Sequence, residues 1–349
     1  MSTEQNVAAI IEALGARLKI VNRPIPIPGP RELVVRNRAI AANPADWKLQ
    51  DYGSPVGLGN YPLVLGSDSC GIVASVGASV TKFKVGDRVT GFAGVIYNNA
   101  IDHGAWQTYT VLRDIAAMKI PDSMSFEEGA VFPMAISTAG VALFVNLGIP
   151  RPSEPITLQA SGFLVWGAAS SVGTASVQLA KNLGFKVFAT ASPVHHEYLQ
   201  SLGASEVFDY HDEFVVDKLV ASSKEAGTSI NFGFDTVGQG TSARQSAEIL
   251  CSSGGRGGKL ALVLPWAEDE AKPEGIEVSM VIAARTGMDM EGMGEWLFND
   301  YLENALMQGS IVPAPKSEVF TGGIAVTQSV FDKLKAGVSG KKLVVKVDG

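Results

Sequence analysis

Apolar strand-like runs alternate with amphipathic helical stretches through the second half of this 349-residue chain, and this alternation restricts the fold more than any other feature. Between residues 172 and 183, for example, apolar side chains recur at helical spacing on one face. Strands that alternate with helices form βαβ units, whose parallel strands are covered on both faces. The pattern therefore predicts an α/β domain with a doubly wound parallel sheet. Its strand candidates are residues 163–166, 186–191, 206–210, 230–236 and 259–264.

The first third of the chain has a different pattern of apolar residues. From Leu33 to about Pro121 the apolar or alternating runs are short, and Gly and Pro interrupt them closely, which indicates a β-rich domain. Near Ser125 this changes, because Ser125 and Glu128 have the spacing of a capping box and predict a helix that continues to about Leu147. The last segment holds one helix candidate, residues 326–336, and a final strand candidate, residues 342–347. A chain of this length suits two domains.

Charge and composition exclude several classes of protein. The net charge is −7 and no stretch is rich in Lys or Arg, so nucleic-acid binding is not expected. Two cysteines cannot form a disulfide framework, and the first residues lack the pattern of a secretory signal. Two uncharged stretches, residues 130–149 and 161–180, are long enough to span a bilayer, but polar residues interrupt both. We expect a cytoplasmic protein that does not enter membranes.

A bend of small residues joins the first strand candidate to the first helix candidate. A dinucleotide requires small residues there, because its pyrophosphate must approach the backbone amides at the helix N-terminus. The usual G-x-G-x-x-G fingerprint occurs here in a degenerate form, with Ala168, Ser170 and Gly173 at the glycine positions. The bend alone also fits a tight turn before a core helix, but the surrounding strands favour a nucleotide site. Its candidate binding residues are Ala168, Ala169, Ser170, Ser171, Val172 and Gly173.

The type of cofactor depends on the residues that follow the second strand. An acidic side chain there binds the ribose hydroxyls of NAD, but residues 189–193 contain no Asp or Glu. Nothing in that segment repels a 2′-phosphate, and Ser192 can donate a hydrogen bond to it. Tyr210, after the third strand, is a second candidate donor, and His195 and His196 lie nearby in sequence. No Lys or Arg occurs between residues 192 and 196, so NADPH is favoured by these donors alone.

Short motifs spread along the chain are specific as a set, although each one singly is common. The chain resembles the medium-chain dehydrogenase/reductase superfamily over nearly its whole length, and its closest likeness is to the quinone-reductase and enoyl-reductase branch. Within that branch it is most similar to fungal-type trans-acting enoyl reductases. The motifs are residues 165–167, 170–173, 190–193, 202–204, 208–210 and 338–344.

The resemblance implies the domain organisation. Residues 1–124 and 290–349 would form a GroES-like β-barrel catalytic domain, and residues 125–289 a Rossmann-type NADP-binding domain. The cleft between them would hold the substrate and the nicotinamide. Both monomers and homodimers occur in the family, so the sequence leaves the oligomeric state open.

Zinc is the clearest departure from the alcohol-dehydrogenase branch. That branch binds zinc through two cysteines and the His of a Gly-His-Glu run. The corresponding run here has Ser67 in place of His, and residues 43–46 have no thiol at the first cysteine position. Cys70 and His103 remain, but two ligands do not complete a catalytic zinc site. We therefore expect no zinc.

Without a Lewis acid, hydride addition to an activated C=C bond is easier than alcohol oxidation. The resemblance places Asn43, Pro44 and Asp46 beside the nicotinamide, and Lys48 in the same motif is a candidate donor to the developing enolate. Lys48 fits a solvated surface lysine equally well. Thr138 matches the family position that touches the carboxamide and the substrate. It also fits a core threonine that bonds to its own helical turn. Two residues at later strand ends would line the nicotinamide pocket: Val237 and Leu264.

Three functions remain open at this point. The first is an NADPH-dependent reductase of unsaturated thioesters or enones, with a small-molecule or carrier-bound substrate and room for a synthase partner. The second is an NADPH quinone oxidoreductase on the same scaffold. The third is an NADPH-binding accessory protein without turnover, which the substituted glycines of the bend keep open.

Overall fold

The computed structural model describes residues 5–53, 61–152, 161–254, 257–287 and 289–347. Its strands, numbered along the chain, are β1 Asn6–Ile11, β2 Lys19–Arg23, β3 Glu32–Ala41, β4 Leu63–Val64, β5 Asp68–Val76, β6 Arg88–Phe92, β7 Tyr109–Arg113, β8 Ala117–Lys119, β9 Ser161–Trp166, β10 Lys186–Thr190, β11 Glu206–Phe208, β12 Ser229–Asp235, β13 Gly258–Leu262, β14 Ile276–Met280, β15 Lys316–Phe320 and β16 Lys341–Lys346.

The α-helices are α1 Pro44–Tyr52, α2 Val95–Asn98, α3 Phe126–Gly129, α4 Pro133–Gly140, α5 Ser171–Asn182, α6 His196–Leu202, α7 Val215–Glu225, α8 Ser242–Gly254, α9 Glu291–Glu295, α10 Glu303–Met307 and α11 Thr327–Ala336. Two π-helical segments, Val141–Asn146 and Trp296–Leu302, continue α4 and α9. The predicted capping box is confirmed, because the Glu128 amide donates to Ser125 Oγ and the Ser125 amide donates to the Glu128 carboxylate.

The chain divides into two compact units. The first comprises Met1–Ser137, Ala284–Gly309 and Lys316–Gly349, and the second comprises Thr138–Ala283 and Ser310–Pro315. The domain boundaries predicted from the sequence lie at residues 125 and 290. That division assigns Ser310–Pro315 to the first domain, whereas the structure groups this segment with the second unit.

The second unit contains the predicted parallel sheet. Its order is β11-β10-β9-β12-β13-β14, and every neighbouring pair is parallel. Counted from β9, this is the 3-2-1-4-5-6 order of a Rossmann-type sheet, in which ligands bind outside the carboxyl ends of the strands. Apolar side chains such as Leu164, Phe188 and Leu260 pack against the covering helices. The predicted α/β fold class is confirmed, and the sheet also includes β14, an edge strand that the sequence analysis did not identify.

The first unit is β-rich, as predicted. One sheet has the order β2-β1-β4, and a larger sheet has the order β15-β16-β3-β5-β6-β8, with β7 also paired to β3. Strand β3 is the centre of the larger sheet, since β5 lies along one side and β16 and β7 along the other. Trp106 and Phe331 meet edge to face in the core, with ring centroids 5.4 Å apart. The C-terminal strand β16 thus completes the sheet that begins in the N-terminal part of the chain.

The helical stretch Phe126–Asn146 is long and apolar enough to cross a membrane by length and composition alone. Within its most apolar window, 83% of the residues are buried inside the protein. The side chains of this stretch therefore have partners in the protein core, as the sequence analysis expected for residues 130–149.

Candidate cofactor and active site

The turn between β9 and α5 is built around two glycines. Gly167 has a φ of +75°, a conformation that L side chains rarely adopt. A Cβ on Gly173 would lie 2.5 Å from the Gly167 carbonyl oxygen and 2.6 Å from Ala168 Cα. Only glycine therefore permits the first turn of α5 to pack this closely against the preceding backbone.

Helix α5 presents bare amides at its N-terminus. Ser170 is the N-cap, and its Oγ accepts the Gly173 amide at 2.9 Å. Within the described part of the chain, the amides of Ser171 and Val172 pair with no acceptor. Both residues are partly exposed. Because the helix dipole favours negative charge at this end, these amides fit a pyrophosphate, and small side chains leave the approach open.

Two threonines that the sequence analysis did not single out hold this turn in shape. Thr190, at the end of β10, accepts the Gly167 amide with its Oγ1 at 3.1 Å and the Ala168 amide with its carbonyl at 2.9 Å. Thr236 Oγ1 lies 2.9 Å from Ser170 Oγ and from the carbonyl oxygens of Trp166 and Gly167. The turn is therefore fixed by the ends of the two strands that flank β9.

Ser192 and Tyr210, the predicted donors to a 2′-phosphate, lie together. Ser192 Oγ donates to the Tyr210 hydroxyl at 3.4 Å, because β10 and β11 are neighbours and both residues follow their carboxyl ends. The Tyr210 ring stacks on His211, whose Nδ1 lies 2.7 Å from Asp209 Oδ1. Of the other candidates, His196 Nε2 contacts the Ala191 carbonyl at 2.9 Å. The two hydroxyls form a partly exposed pair on which an anionic group can bind.

Val237 and Leu264 also lie at the carboxyl edge of this sheet, after β12 and β13. A Cβ on Gly167 would lie 2.2 Å from Val237 Cγ2, and a Cβ on Gly238 would lie 2.8 Å from Leu264 Cβ. The two side chains thus line one continuous surface with the β9–α5 turn. Asp235 fixes the loop that carries Val237.

Asp235 is buried, and three hydrogen bonds hold its carboxylate. It accepts the amides of Val237 and Gly238 and the hydroxyl of Ser242. Burial nevertheless raises its pKa, because the desolvation of the charge outweighs these bonds. Asp235 ends β12, not the second strand β10 where an acidic side chain would bind the ribose of NAD, and its carboxylate organises its own loop.

In the first unit, the predicted nicotinamide motif forms the start of α1. Asn43 precedes the helix, Pro44 occupies its first turn, and Asp46 Oδ2 accepts the Asn43 amide at 2.9 Å. Trp106 Nε1 donates to the same oxygen at 3.2 Å. Burial raises the pKa of Asp46 to about 7, although both hydrogen bonds favour the charged form. Helix α1 was not predicted, yet Pro after Asn43 and an acid three residues after Asn43 form a recognised helix-start pattern.

Asn43 is buried in a polar triangle with two residues that the sequence analysis missed. Lys342 Nζ donates to Asn43 Oδ1 at 2.6 Å and lies 2.8 Å from Asp68 Oδ2. Asn43 Nδ2 donates to the same Asp68 oxygen at 2.8 Å, and Asp68 Oδ1 accepts the Met134 amide at 2.6 Å. The Asn43 side chain is thus engaged inside the protein, which suits a residue that orients the motif.

The two remaining catalytic candidates have different environments. Lys48 is partly exposed on α1, with its ammonium 5.7 Å from the centre of the Trp47 ring, and within the described ranges no carboxylate is within ion-pair distance of it. Its charge is therefore available to a ligand. Thr138 is buried on α4, where the helix N-terminus is held by Asp68.

The residues that resembled remnants of a zinc site have other neighbours. Cys70 is buried, and a Cβ on Gly129 would lie 2.6 Å from its Sγ. His103 Nε2 lies 3.4 Å from Glu32 Oε1, and burial lowers the pKa of this imidazole. Across residues 5–53, 61–152, 161–254, 257–287 and 289–347, no three His, Cys, Asp or Glu side chains are grouped as metal ligands.

Comparison with known proteins gives consistent matches. The family model of the alcohol dehydrogenase GroES-like domain matches residues 29–122, and that of zinc-binding dehydrogenases matches residues 171–286. The trans-enoyl reductase tndF of Aspergillus flavipes is 37% identical, covering 98% of this chain and 99% of its own. The trans-enoyl reductase tazE of Aspergillus terreus is 44% identical, covering 66% of this chain and 76% of its own.

The fold also matches solved structures. An alcohol dehydrogenase superfamily protein from Novosphingobium aromaticivorans superposes with a TM-score of 0.82 at 23% identity, covering 98% of this chain and 100% of its own.

Proposed function

The chain belongs to the medium-chain dehydrogenase/reductase superfamily, and we propose that it is an NADPH-dependent reductase that adds hydride to the activated C=C bond of an enoyl thioester or enone. The likeness to the trans-enoyl reductase tndF over nearly the full length of both chains supports this substrate class. We further propose that the substrate is a small molecule or an acyl group on a carrier, delivered by a synthase partner in the second case.

One observation carries the cofactor assignment. The β9–α5 turn brings the bare amides of Ser171 and Val172 to the carboxyl edge of a parallel sheet, and glycine keeps that surface clear. The hydroxyl pair Ser192 and Tyr210 supports NADPH over NADH, because it replaces the acidic side chain that would repel a 2′-phosphate. Val237 and Leu264 supply apolar surface of the kind that a nicotinamide ring requires.

The chain's own polar groups suit conjugate reduction. A bound NADPH would supply the hydride. The Lys48 ammonium, which has no carboxylate partner among the described residues, would stabilise negative charge that develops on the substrate carbonyl oxygen. In our proposal Thr138 orients the carboxamide, and Asn43, Pro44 and Asp46 hold the motif that carries Lys48. We propose that the reaction needs no zinc, since in the part of the chain that the structure describes Cys70 and His103 are not joined by a third His, Cys, Asp or Glu as a catalytic zinc site requires.

The substrate class is tested by coenzyme consumption. We expect the purified protein to oxidise NADPH with a crotonyl thioester, to do so equally after treatment with a zinc chelator, and to be at least tenfold slower with a simple quinone. Initial rates on matched substrate concentrations measure this. Faster turnover of the quinone would make the protein a quinone oxidoreductase. Tight NADPH binding with no turnover of either substrate would make it an accessory protein.

The coenzyme preference is tested by Ser192→Ala and Tyr210→Phe. Each change removes one hydroxyl from the proposed 2′-phosphate site, and a hydrogen bond to a charged group is worth about 1.5–3 kcal/mol, so we expect the NADPH affinity to fall roughly tenfold or more while NADH affinity stays the same. Titration with 2′,5′-ADP and 5′-AMP separates the phosphate contact from the rest of the coenzyme. Equal losses for both nucleotides would contradict the assignment.

A further inference from the structure

A closed polar triangle in the first unit contains a lysine and an aspartate that the proposed chemistry does not use. Three neighbouring strands create it. Ala41, near the end of β3, lies opposite Asp68 of β5 on one side and opposite Val344 of β16 on the other. Asn43 follows β3 directly, so its side chain meets Asp68 from one neighbouring strand and Lys342 from the other.

Both charges of this triangle are removed from solvent. The exposed fraction of the side chain is 3% for Lys342 and 0% for Asp68. Removing two such charges from water costs more free energy than the attraction of a surface ion pair provides. A well-packed apolar pair of the same size would commonly stabilise a fold as well or better. Stability alone therefore does not account for a buried pair here.

The triangle determines the orientation of Asn43. Its Oδ1 accepts from Lys342 Nζ at 2.6 Å, its Nδ2 donates to Asp68 at 2.8 Å, and its backbone amide donates to Asp46 at 2.9 Å. A flip of the amide group would face Nδ2 toward an ammonium and Oδ1 toward a carboxylate, so the charges specify one orientation. The two side-chain bonds tie the start of α1 to β5 and β16, and the amide bond to Asp46 holds the first turn of the helix itself.

Asp68 also holds a second helix. Its other carboxylate oxygen accepts the Met134 amide at 2.6 Å, in the first turn of α4. The same carboxylate therefore joins the start of α1, which carries Lys48, to the start of α4, which carries Thr138. Charge-assisted bonds of this kind are short and directional, and buried networks of them restrict movement more than apolar contacts do.

From this geometry we propose that Lys342 and Asp68 are positioning residues: together they fix Asn43 and thereby hold the N-terminal turns of α1 and α4 in the arrangement that the reductase reaction requires. The inference rests on the proposed function for its kinetic consequence. Its structural part, the anchoring of α1 by a charge pair, is independent of the substrate.

The test uses two single variants and their combination. Lys342→Met and Asp68→Asn each leave one partner without its counterion, whereas the double variant is neutral and keeps nearly the same volume. Lys341→Met is the matched control, because Lys341 lies on the same strand, is 55% exposed and pairs with Glu318 at 3.4 Å. The readouts are the unfolding midpoint, kcat and KM with the enoyl thioester, and amide hydrogen exchange of the segment from Asn43 to Lys48.

We expect both single variants to lower the unfolding midpoint and to reduce kcat at least tenfold with less than a threefold change in KM. The double variant should regain most of the loss in unfolding midpoint but not the loss in kcat, because Asn43 Oδ1 still lacks its donor. Its amides from Asn43 to Lys48 should exchange faster than those of the wild type. The control should match the wild type in every readout.

The outcomes separate the two claims. Recovery of kcat together with the midpoint in the double variant would show that the pair is merely structural and would overturn the proposal, as would wild-type kcat and exchange in Lys342→Met. A wild type that turns over no enoyl thioester would refute the proposed function. In that case faster α1 exchange in the double variant would still support the anchoring, and unchanged exchange would refute it.

Discussion

Gly173→Ala is expected to lower the free energy of unfolding by about 2 kcal/mol, within the usual cost of overpacking, and to weaken NADPH binding at least tenfold. The new Cβ would lie 2.5 Å from the Gly167 oxygen and within 2.7 Å of two Ala168 backbone atoms. Backbone atoms cannot rotate away as a flexible side chain can, so the turn itself must move. The gain in helix propensity, about 1 kcal/mol, is too small to compensate.

The affinity falls because the displaced turn carries the amides that we assign to the pyrophosphate. Gly292→Ala is the matched control, because Gly292 is also helical and a Cβ there would meet no atom within 4 Å. That variant should be neutral or slightly more stable. Urea unfolding and NADPH titration measure both effects. Wild-type stability and affinity in Gly173→Ala would contradict the close approach.

Asp46→Asn is expected to remove a large part of the pH dependence of stability between about pH 4 and pH 7. Burial raises the pKa of Asp46 to about 7, and the carboxyl of an unfolded chain titrates near 3.9. The folded protein thus keeps a proton that the unfolded chain loses over this interval. The stability from this group is complete below about pH 4, decreases as the pH rises, and is lost above about pH 7.

A shift of three pKa units corresponds to about 4 kcal/mol, which is an upper estimate of the change in unfolding free energy across the interval. Asparagine still accepts from Trp106 and the Asn43 amide, so the fold should be retained. The stability of the variant relative to the wild type should therefore increase with pH. Asp122→Asn, at a fully exposed side chain, serves as the control. Parallel pH profiles for Asp46→Asn and the wild type would contradict the buried, raised pKa.

Features with a local period could be predicted from the sequence. The strand and helix repeats predicted the parallel sheet. The predicted capping box between Ser125 and Glu128 is present with both of its hydrogen bonds. The contact of Ser192 with Tyr210 could also be predicted from the sequence, because adjacent parallel strands bring their carboxyl ends together. The Thr190 and Thr236 contacts follow from the same rule, but their hydroxyl directions depend on packing.

The buried triangle could not be predicted with the same reasoning. A lysine in a terminal strand ordinarily indicates an exposed position, and the partner Asp68 lies at the other end of the chain. A weak signal was present, since Lys341 and Lys342 are adjacent in a strand and cannot both face the same side. Which of them faces inward is decided by the pairing of β16 with β3, and that pairing is long-range.

Transfer of deuterium from NADPH that carries deuterium at both C4 positions of the nicotinamide distinguishes conjugate reduction from carbonyl reduction. If the protein reduces an activated C=C bond with a coenzyme held at the β9–α5 turn, the saturated thioester product carries the label at its β-carbon, and Gly173→Ala produces less of it at the same NADPH concentration. Label at the carbon of a newly formed alcohol, or a saturated product without label, would contradict the account.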